Sequence, residues 1–327
     1  MNPYKTLASP TSTPPPYLEA TTDWARRRWR SLPAEKTPGI LGTDATPREE
    51  HDGTQDPAKP THSWHLTLNS AVLDKVKVET PKLIKTHNLL PSRNYIFGYH
   101  PHGIFCFGAF CNFSTEATGF SKKFPGIRPS LATLAGNFRL PLLRDYMMFG
   151  GICPVNRNSI DYLLSRNGTG NAVVIVVGGA AESLDCAPGL NSVTLKNRKG
   201  FVKLALQKGA DLVPVYSFGE NEAYKQVMFA EGSWWRHVQR RLQKLLGFAP
   251  CLFHGCGFFS SESWGMVPYC KPINTVVGEP ITVPKVEDPT PDTIDMYHTM
   301  YINSLTTLFD KYKTRFGLKE TDYLLVR

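Results

Sequence analysis

Apolar residues along this chain fall into short runs and amphipathic stretches only from about Asn94 onward. Ala172-Val173-Val174-Ile175-Val176-Val177, stopped by Gly178-Gly179, is too short for a helix and rich in β-branched residues, so it predicts a strand buried on both faces at the centre of a parallel sheet. Phe201, Leu204, Ala205 and Lys208 keep helical spacing up to Gly209. Leu212-Val213-Pro214-Val215-Tyr216 then predicts the next strand, completing a strand-helix-strand unit. Two later helices follow. In one, Trp234, Val238, Leu242, Leu245 and Leu246 form an apolar stripe, with Ser233 to cap its start and Gly247 its end; Arg236, Arg240, Arg241 and Lys244 take the remaining face. Such a basic amphipathic helix either packs its stripe on the core with its charges in water or lies on an anionic membrane surface. The other runs from Pro291 to about Phe316, with Ile294, Tyr297, Tyr301, Leu305 and Leu308 on its core side. The expected fold is α/β: a mixed, mostly parallel sheet flanked by helices.

Residues 1 to 85 differ in character. Pro10, Pro14-Pro15-Pro16, Arg26-Arg27-Arg28 and Glu49-Glu50 mark a proline-rich, charged segment without apolar periodicity, expected to be largely disordered and followed by one folded domain over residues 86 to 327. Trp24 and Trp29 flank its arginine cluster, a pairing that also suits a lipid interface. No run approaches the ~20 apolar residues that cross a bilayer as a helix. The 327-residue length allows a core that needs no disulfide staples, and seven cysteines, an odd number without paired metal spacing, point to reduced thiols facing the cytosol. A net charge of +9 favours anionic partners; with neither a zinc finger nor an RNA-binding signature, phosphate-bearing molecules and acidic lipid headgroups remain and nucleic acid is not expected.

Tyr99-His100-Pro101-His102-Gly103 sits between the apolar runs Tyr95-Ile96-Phe97-Gly98 and Ile104-Phe105-Cys106-Phe107. Proline fixes one backbone torsion between the two histidines and glycine permits a sharp departure, so both imidazoles belong on a rigid turn at a strand end, either as capping or core residues or as a general base. The base would take a proton from an acceptor hydroxyl whose oxygen attacks a carbonyl. A serine-hydrolase elbow is excluded, because Val215-Tyr216-Ser217-Phe218-Gly219 has valine where the first glycine belongs. His-x-His also serves metal hydrolases, with His254 and later carboxylates as further ligands, but no ordered array surrounds His254 and no metal is expected. Glu182 and Glu220 each follow a predicted strand and could orient or charge-compensate a histidine; sequence does not choose between them. Arg157 and Arg198-Lys199 at a helix start are the candidate anion-binding cations.

The ordered blocks Tyr99-His100-Pro101-His102-Gly103, Asn112-Phe113-Ser114-Thr115-Glu116, Phe124-Pro125-Gly126-Ile127-Arg128-Pro129, Gly178-Gly179-Ala180-Ala181-Glu182, Arg198-Lys199-Gly200-Phe201 and Tyr216-Ser217-Phe218-Gly219-Glu220-Asn221 resemble those of the type-two diacylglycerol acyltransferase family, which includes the monoacylglycerol and wax-alcohol acyltransferases. The resemblance covers roughly residues 85 to 327. It implies a glycerolipid-acyltransferase-like fold and transfer of a fatty acyl group from acyl-CoA, as co-substrate and without a resident cofactor, to diacylglycerol, making triacylglycerol at the cytosolic face of the endoplasmic reticulum membrane and on lipid droplets. Monoacylglycerol or wax-alcohol acylation and a catalytically inactive lipid-surface scaffold are the alternatives, and a homo-oligomer is left open. His100 and His102 match the family's His-Pro-His-Gly site, and Glu182 and Glu220 match its glutamate blocks. Two departures stand out. A proline-rich polar segment occupies the place of the family's hydrophobic hairpin, and His254-Gly255-Cys256-Gly257 replaces its His-Gly-Arg-Gly, so activity is expected to be reduced or absent.

Overall fold

Alternation along one strand organises the whole domain. Tyr95–His100 (β2) is buried at every position, as a strand covered on both faces requires, yet its odd and even residues serve different cores. Tyr95, Phe97 and Tyr99 join an aromatic cluster with Phe113, Phe120 and Phe124, whereas Ile96 joins a larger aliphatic cluster with Tyr301, Leu305 and Phe309. Each face therefore carries its own helical layer.

The computed structural model describes residues 81–257 and 264–327. Residues 1 to 80 of the segment expected to be disordered thus lie outside the described residues, whereas its last residues, 82 to 85, form a strand, because they pair with Asn274–Val277. In chain order the strands are Lys82–Lys85 (β1), β2, Arg128–Thr133 (β3), Cys153–Pro154 (β4), Asn171–Val176 (β5), Ser192–Val193 (β6), Asp211–Phe218 (β7), Lys225–Gln226 (β8), Phe253–Cys256 (β9), Trp264–Gly265 (β10), Asn274–Val277 (β11) and Leu325–Val326 (β12). Seven of them form the main sheet in the order β1-β11-β7-β2-β5-β3-β4. All its pairings are parallel except β11 with β7, so the sheet is mixed and mostly parallel, as the sequence predicts. A three-stranded sheet β10-β9-β8 and a two-stranded pair β12-β6 complete the strands.

The helices are Phe107–Phe113 (α1), Phe120–Lys123 (α2), Pro141–Phe149 (α3), Arg157–Ser165 (α4), Gly179–Asp185 (α5), Gly200–Lys208 (α6), Trp234–Leu246 (α7) and Pro291–Tyr312 (α8). Residues from α4, α6 and α8 fill the aliphatic cluster on one face, and α1 and α2 cover the other. The β5-α6-β7 region matches the expected strand-helix-strand unit, and Gly209 ends α6 in the left-handed conformation. Within α8, Tyr301, Leu305 and Leu308 face the core. All seven cysteines are free thiols. Among the described residues no helix is long and apolar enough to cross a membrane.

One helix departs from the first of its two expected orientations, with the stripe on the core. The limits of α7 are right, since Ser233 accepts from the Arg236 amide and Gly247 adopts a left-handed C-cap, and Arg240, Arg241 and Lys244 are exposed as expected, but its apolar stripe does not pack on the core. Arg236, expected on the solvent face, is buried, while Trp234, Leu242 and Leu245 of the stripe are exposed. A periodic pattern identifies the apolar face; it carries no information about which side the domain lies on.

Candidate active site

The parallel strands β2, β5 and β7 end at one edge, and their following segments bring together the His turn, the start of α5 and Glu220. Strand β2 stops at His100, and the His100-Pro101 peptide is cis. Gly103 takes φ +61°, and a Cβ there would approach Glu220 Cγ to 2.9 Å; only glycine combines that torsion with that contact.

Two buried carboxylates hold the turn by its backbone. Glu182 Oε1 accepts from the His102 amide at 2.6 Å and Oε2 from the Thr194 amide at 2.5 Å. Gly178 makes room for it, since a Cβ there would lie 2.1 Å from Glu182 Oε2. Glu220 Oε2 accepts from Tyr99 Oη at 2.6 Å and from the Gly108 amide at 3.0 Å. Burial raises both carboxyls above their ordinary range, Glu220 to about 7, and the hydrogen bonds they accept oppose the rise. Each glutamate is therefore in the predicted place, but its partners are backbone amides and a tyrosine rather than an imidazole.

The two histidines separate sharply. His100 continues the β2 alternation onto the α8 face, where it is fully buried; its Nε2 meets Tyr301 Oη at 3.0 Å and its Nδ1 has no partner. Burial pushes its pKa down to about 3. Of the two rings expected as a possible base, the structure places His100 in the core, because the strand is still in register when it reaches position 100. His102, two residues on and past the sheet, is only half-buried. Its Nδ1 lies 2.7 Å from Ser183 Oγ, 3.1 Å from Gly103 O and 3.3 Å from Cys106 Sγ. Because Gly103 O can only accept, we assign the ring proton to Nδ1, which leaves the Nε2 lone pair unprotonated. Burial lowers the His102 pKa, with the bond to Gly103 opposing it, so the ring is neutral near pH 7.

Ser183 escaped the sequence reading, although it directly follows Glu182 in the quoted block and one turn of α5 suffices to bring it to the ring. Cys106, four residues beyond His102, shares the site with a thiol that burial pushes well above its usual range, so it stays protonated. No local signal marks Tyr301, which lies far along the sequence from His100.

The candidate cations scatter. Arg198 is near enough to Glu182 for its charge to oppose that group's raised pKa, and its Nη2 reaches Gly178 O at 3.4 Å. Lys199 pairs with Asp295 at 2.5 Å. Arg157, at the start of α4, donates to Gln207 Oε1 of α6 at 3.0 Å rather than to a residue of the His turn. His254 stacks on Trp264 and bonds Tyr269 Oη, and no cluster of three or more metal-ligating side chains occurs among the described residues.

Comparison with known proteins gives the family of the chain. A family model described as diacylglycerol acyltransferase matches residues 54–327. Diacylglycerol O-acyltransferase 2 of Danio rerio is 82% identical over 245 residues, covering 75% of this chain and 68% of that protein. The proteins of the same name from Xenopus tropicalis and Homo sapiens are 74% identical over 243 residues and 73% over 245, covering 74% and 75% of this chain and 67% and 63% of theirs. The chain thus spans about two thirds of the length of these relatives. Among solved structures, the 1-acyl-sn-glycerophosphate acyltransferase PlsC from Thermotoga maritima is similar over 72% of this chain and 78% of its own, at 11% identity and a TM-score of 0.37.

Proposed function

Because the chain belongs to the diacylglycerol acyltransferase family, we propose that it transfers a fatty acyl group from acyl-CoA to the free hydroxyl of diacylglycerol, with His102 as the general base. The observation that carries this assignment is the ring environment: Nδ1 is held by Gly103 O and Ser183 Oγ, and Nε2 meets only the weak thiol donor of Cys106 at 3.6 Å, which an acceptor hydroxyl would have to displace. In that reading His102 Nε2 removes the hydroxyl proton as the alkoxide oxygen attacks the thioester carbonyl. Collapse of the tetrahedral adduct breaks the carbon-sulfur bond, and the imidazolium returns the proton to the departing CoA sulfur. No covalent enzyme intermediate is required.

Glu182 and Glu220 act as positioning residues: they bind the amides of His102 and Gly108 and so hold the turn that presents the ring. Arg198 is the cation best placed to meet an acyl-CoA phosphate at this edge, and Lys199, the N-cap residue of α6, stands next to it. The work site is the cytosolic face of the endoplasmic reticulum membrane and the droplet surface, where a diacylglycerol is presented. Homo-oligomers are compatible with this chemistry.

The test is an acyl-transfer assay with labelled acyl-CoA against diacylglycerol, monoacylglycerol and long-chain alcohols in parallel. Triacylglycerol should be the main product, and His102→Ala should lower its rate by ~100-fold or more. A preference for either other acceptor would reassign the substrate, and an unaffected His102→Ala variant would remove the base.

A further inference from the structure

Helix α7 meets the domain with its polar side. The Arg236 side chain is buried; its Nη1 donates to Leu184 O at 3.1 Å and to Gln239 Oε1 at 2.8 Å, and its Nη2 pairs with Asp185. Gln239 Nε2 in turn donates to Pro250 O at 3.0 Å. A buried guanidinium is costly to strip of its partners, so these bonds fix the rotation of the helix about its axis. The apolar side is consequently turned to solvent: Trp234 is 67% exposed, Trp235 60% and Leu245 81%. Leu242, Phe248 and Leu252 are exposed as well. A soluble surface does not gather side chains of this size without a partner for them.

Two facts identify the partner. The first is position. Arg236 is latched to the end of α5, the helix whose first turns supply Glu182 and Ser183, and α5 begins where β5 ends. A second exposed apolar set, Leu142, Tyr146 and Phe149 of α3, follows the end of β3, and exposed Phe105 follows the His turn. All three sets leave the same sheet edge as His102. The second is charge. Exposed Arg241 and Lys244 accompany the α7 face, a composition that attracts anionic headgroups and would repel a second copy presenting the same face. Tryptophan beside basic residues is suited to the boundary between headgroups and acyl chains.

We propose that α7 is a lipid-docking helix: its Trp234, Trp235, Leu242 and Leu245 face enters an anionic phospholipid surface, while Arg236 ties it to α5 and so holds the His102 edge against that surface. The inference rests on the reading that the acceptor is a lipid hydroxyl, and it deepens that reading by naming the surface and the face that meets it.

The experiment uses the full chain and phosphatidylcholine vesicles with and without phosphatidylserine. Replacing Trp234, Trp235 and Leu245 together by serine should lower the vesicle partition coefficient by roughly a hundredfold. Arg241→Glu with Lys244→Glu should remove the preference for phosphatidylserine. Brominated lipid should quench tryptophan emission in the unaltered chain and quench much less of it in the Trp234→Phe/Trp235→Phe variant, which reports on α7 even where other segments also bind. Flotation and quenching equal to those of the unaltered chain would overturn the proposal. So would a dimer of the unaltered chain that the serine variant abolishes while its vesicle binding is unchanged, since the occupant would then be a second copy. Binding is read without turnover, so a chain that floats and is quenched as expected yet forms no ester refutes the acyltransferase reading alone.

Discussion

Glu220→Gln isolates the energetic cost of the carboxyl beneath the His turn. In the folded chain this group is almost fully buried, and burial raises its pKa from 4.5 to about 7 against the pull of the donors from Tyr99 and Gly108. Folded protein therefore retains a proton that the unfolded chain has already released, so unfolding releases protons and stability falls as pH rises. The cost is absent below pH ~4.5, grows through the interval up to pH ~7, and is complete above it at ~3 kcal/mol. Glutamine keeps an acceptor oxygen for one of the two donors and adds an amide to be satisfied, a penalty of ~1 kcal/mol that does not vary with pH. Urea unfolding of both proteins across pH ~5 to ~8 then gives a difference curve in which the unaltered chain loses ~2 to 3 kcal/mol relative to the variant. His100 and His102 titrate in the opposite sense: their lowered pKa values contribute stability that is present above pH 6.5 and lost as pH falls toward about 3 for His100. Both are present in each protein and cancel in the difference. A difference curve flat to within ~0.5 kcal/mol would refute the argument that burial sets this group's charge.

Three further outcomes follow from other contacts. Ser183→Ala removes the 2.7 Å partner of His102 Nδ1 and should lower kcat by ~10- to 100-fold with KM for acyl-CoA unchanged, and Ser183→Thr should restore part of the loss. Gly98→Ala would put a Cβ 1.9 Å from Tyr301 Oη and should destabilise the fold by ~3 kcal/mol, measured by urea unfolding. Arg236→Met leaves Asp185 and Leu184 O without their buried donor and should cost ~3 kcal/mol, visible as a lower Tm, with part recovered in the Arg236→Met/Asp185→Asn double variant.

Much of the scaffold is legible in the chain. The run from Ala172 to Val177 could only be a doubly covered strand, and Gly209 and Gly247 mark helix ends, because these features depend on neighbours within a few residues. Positions at strand ends also placed His102, Glu182 and Glu220 at one edge before any packing was known. What they do there was not legible. That the glutamates grip backbone amides depends on a turn whose glycines admit them, and that Arg157 donates to Gln207 depends on how α4 packs beside α6.

The sequence by itself determined strands β2, β5 and β7 and helices α6, α7 and α8, since alternation of apolar residues and backbone torsion preferences are local properties. Only the tertiary structure decided which histidine is sealed beneath Tyr301 and which is offered to an acceptor, and which face of α7 looks outward. Those outcomes depend on partners brought from distant positions: Tyr301 for His100, Ser183 for His102, Asp185 and Leu184 O for Arg236. A buried polar group goes where its hydrogen bonds can be completed, and that place exists only once the sheet has assembled.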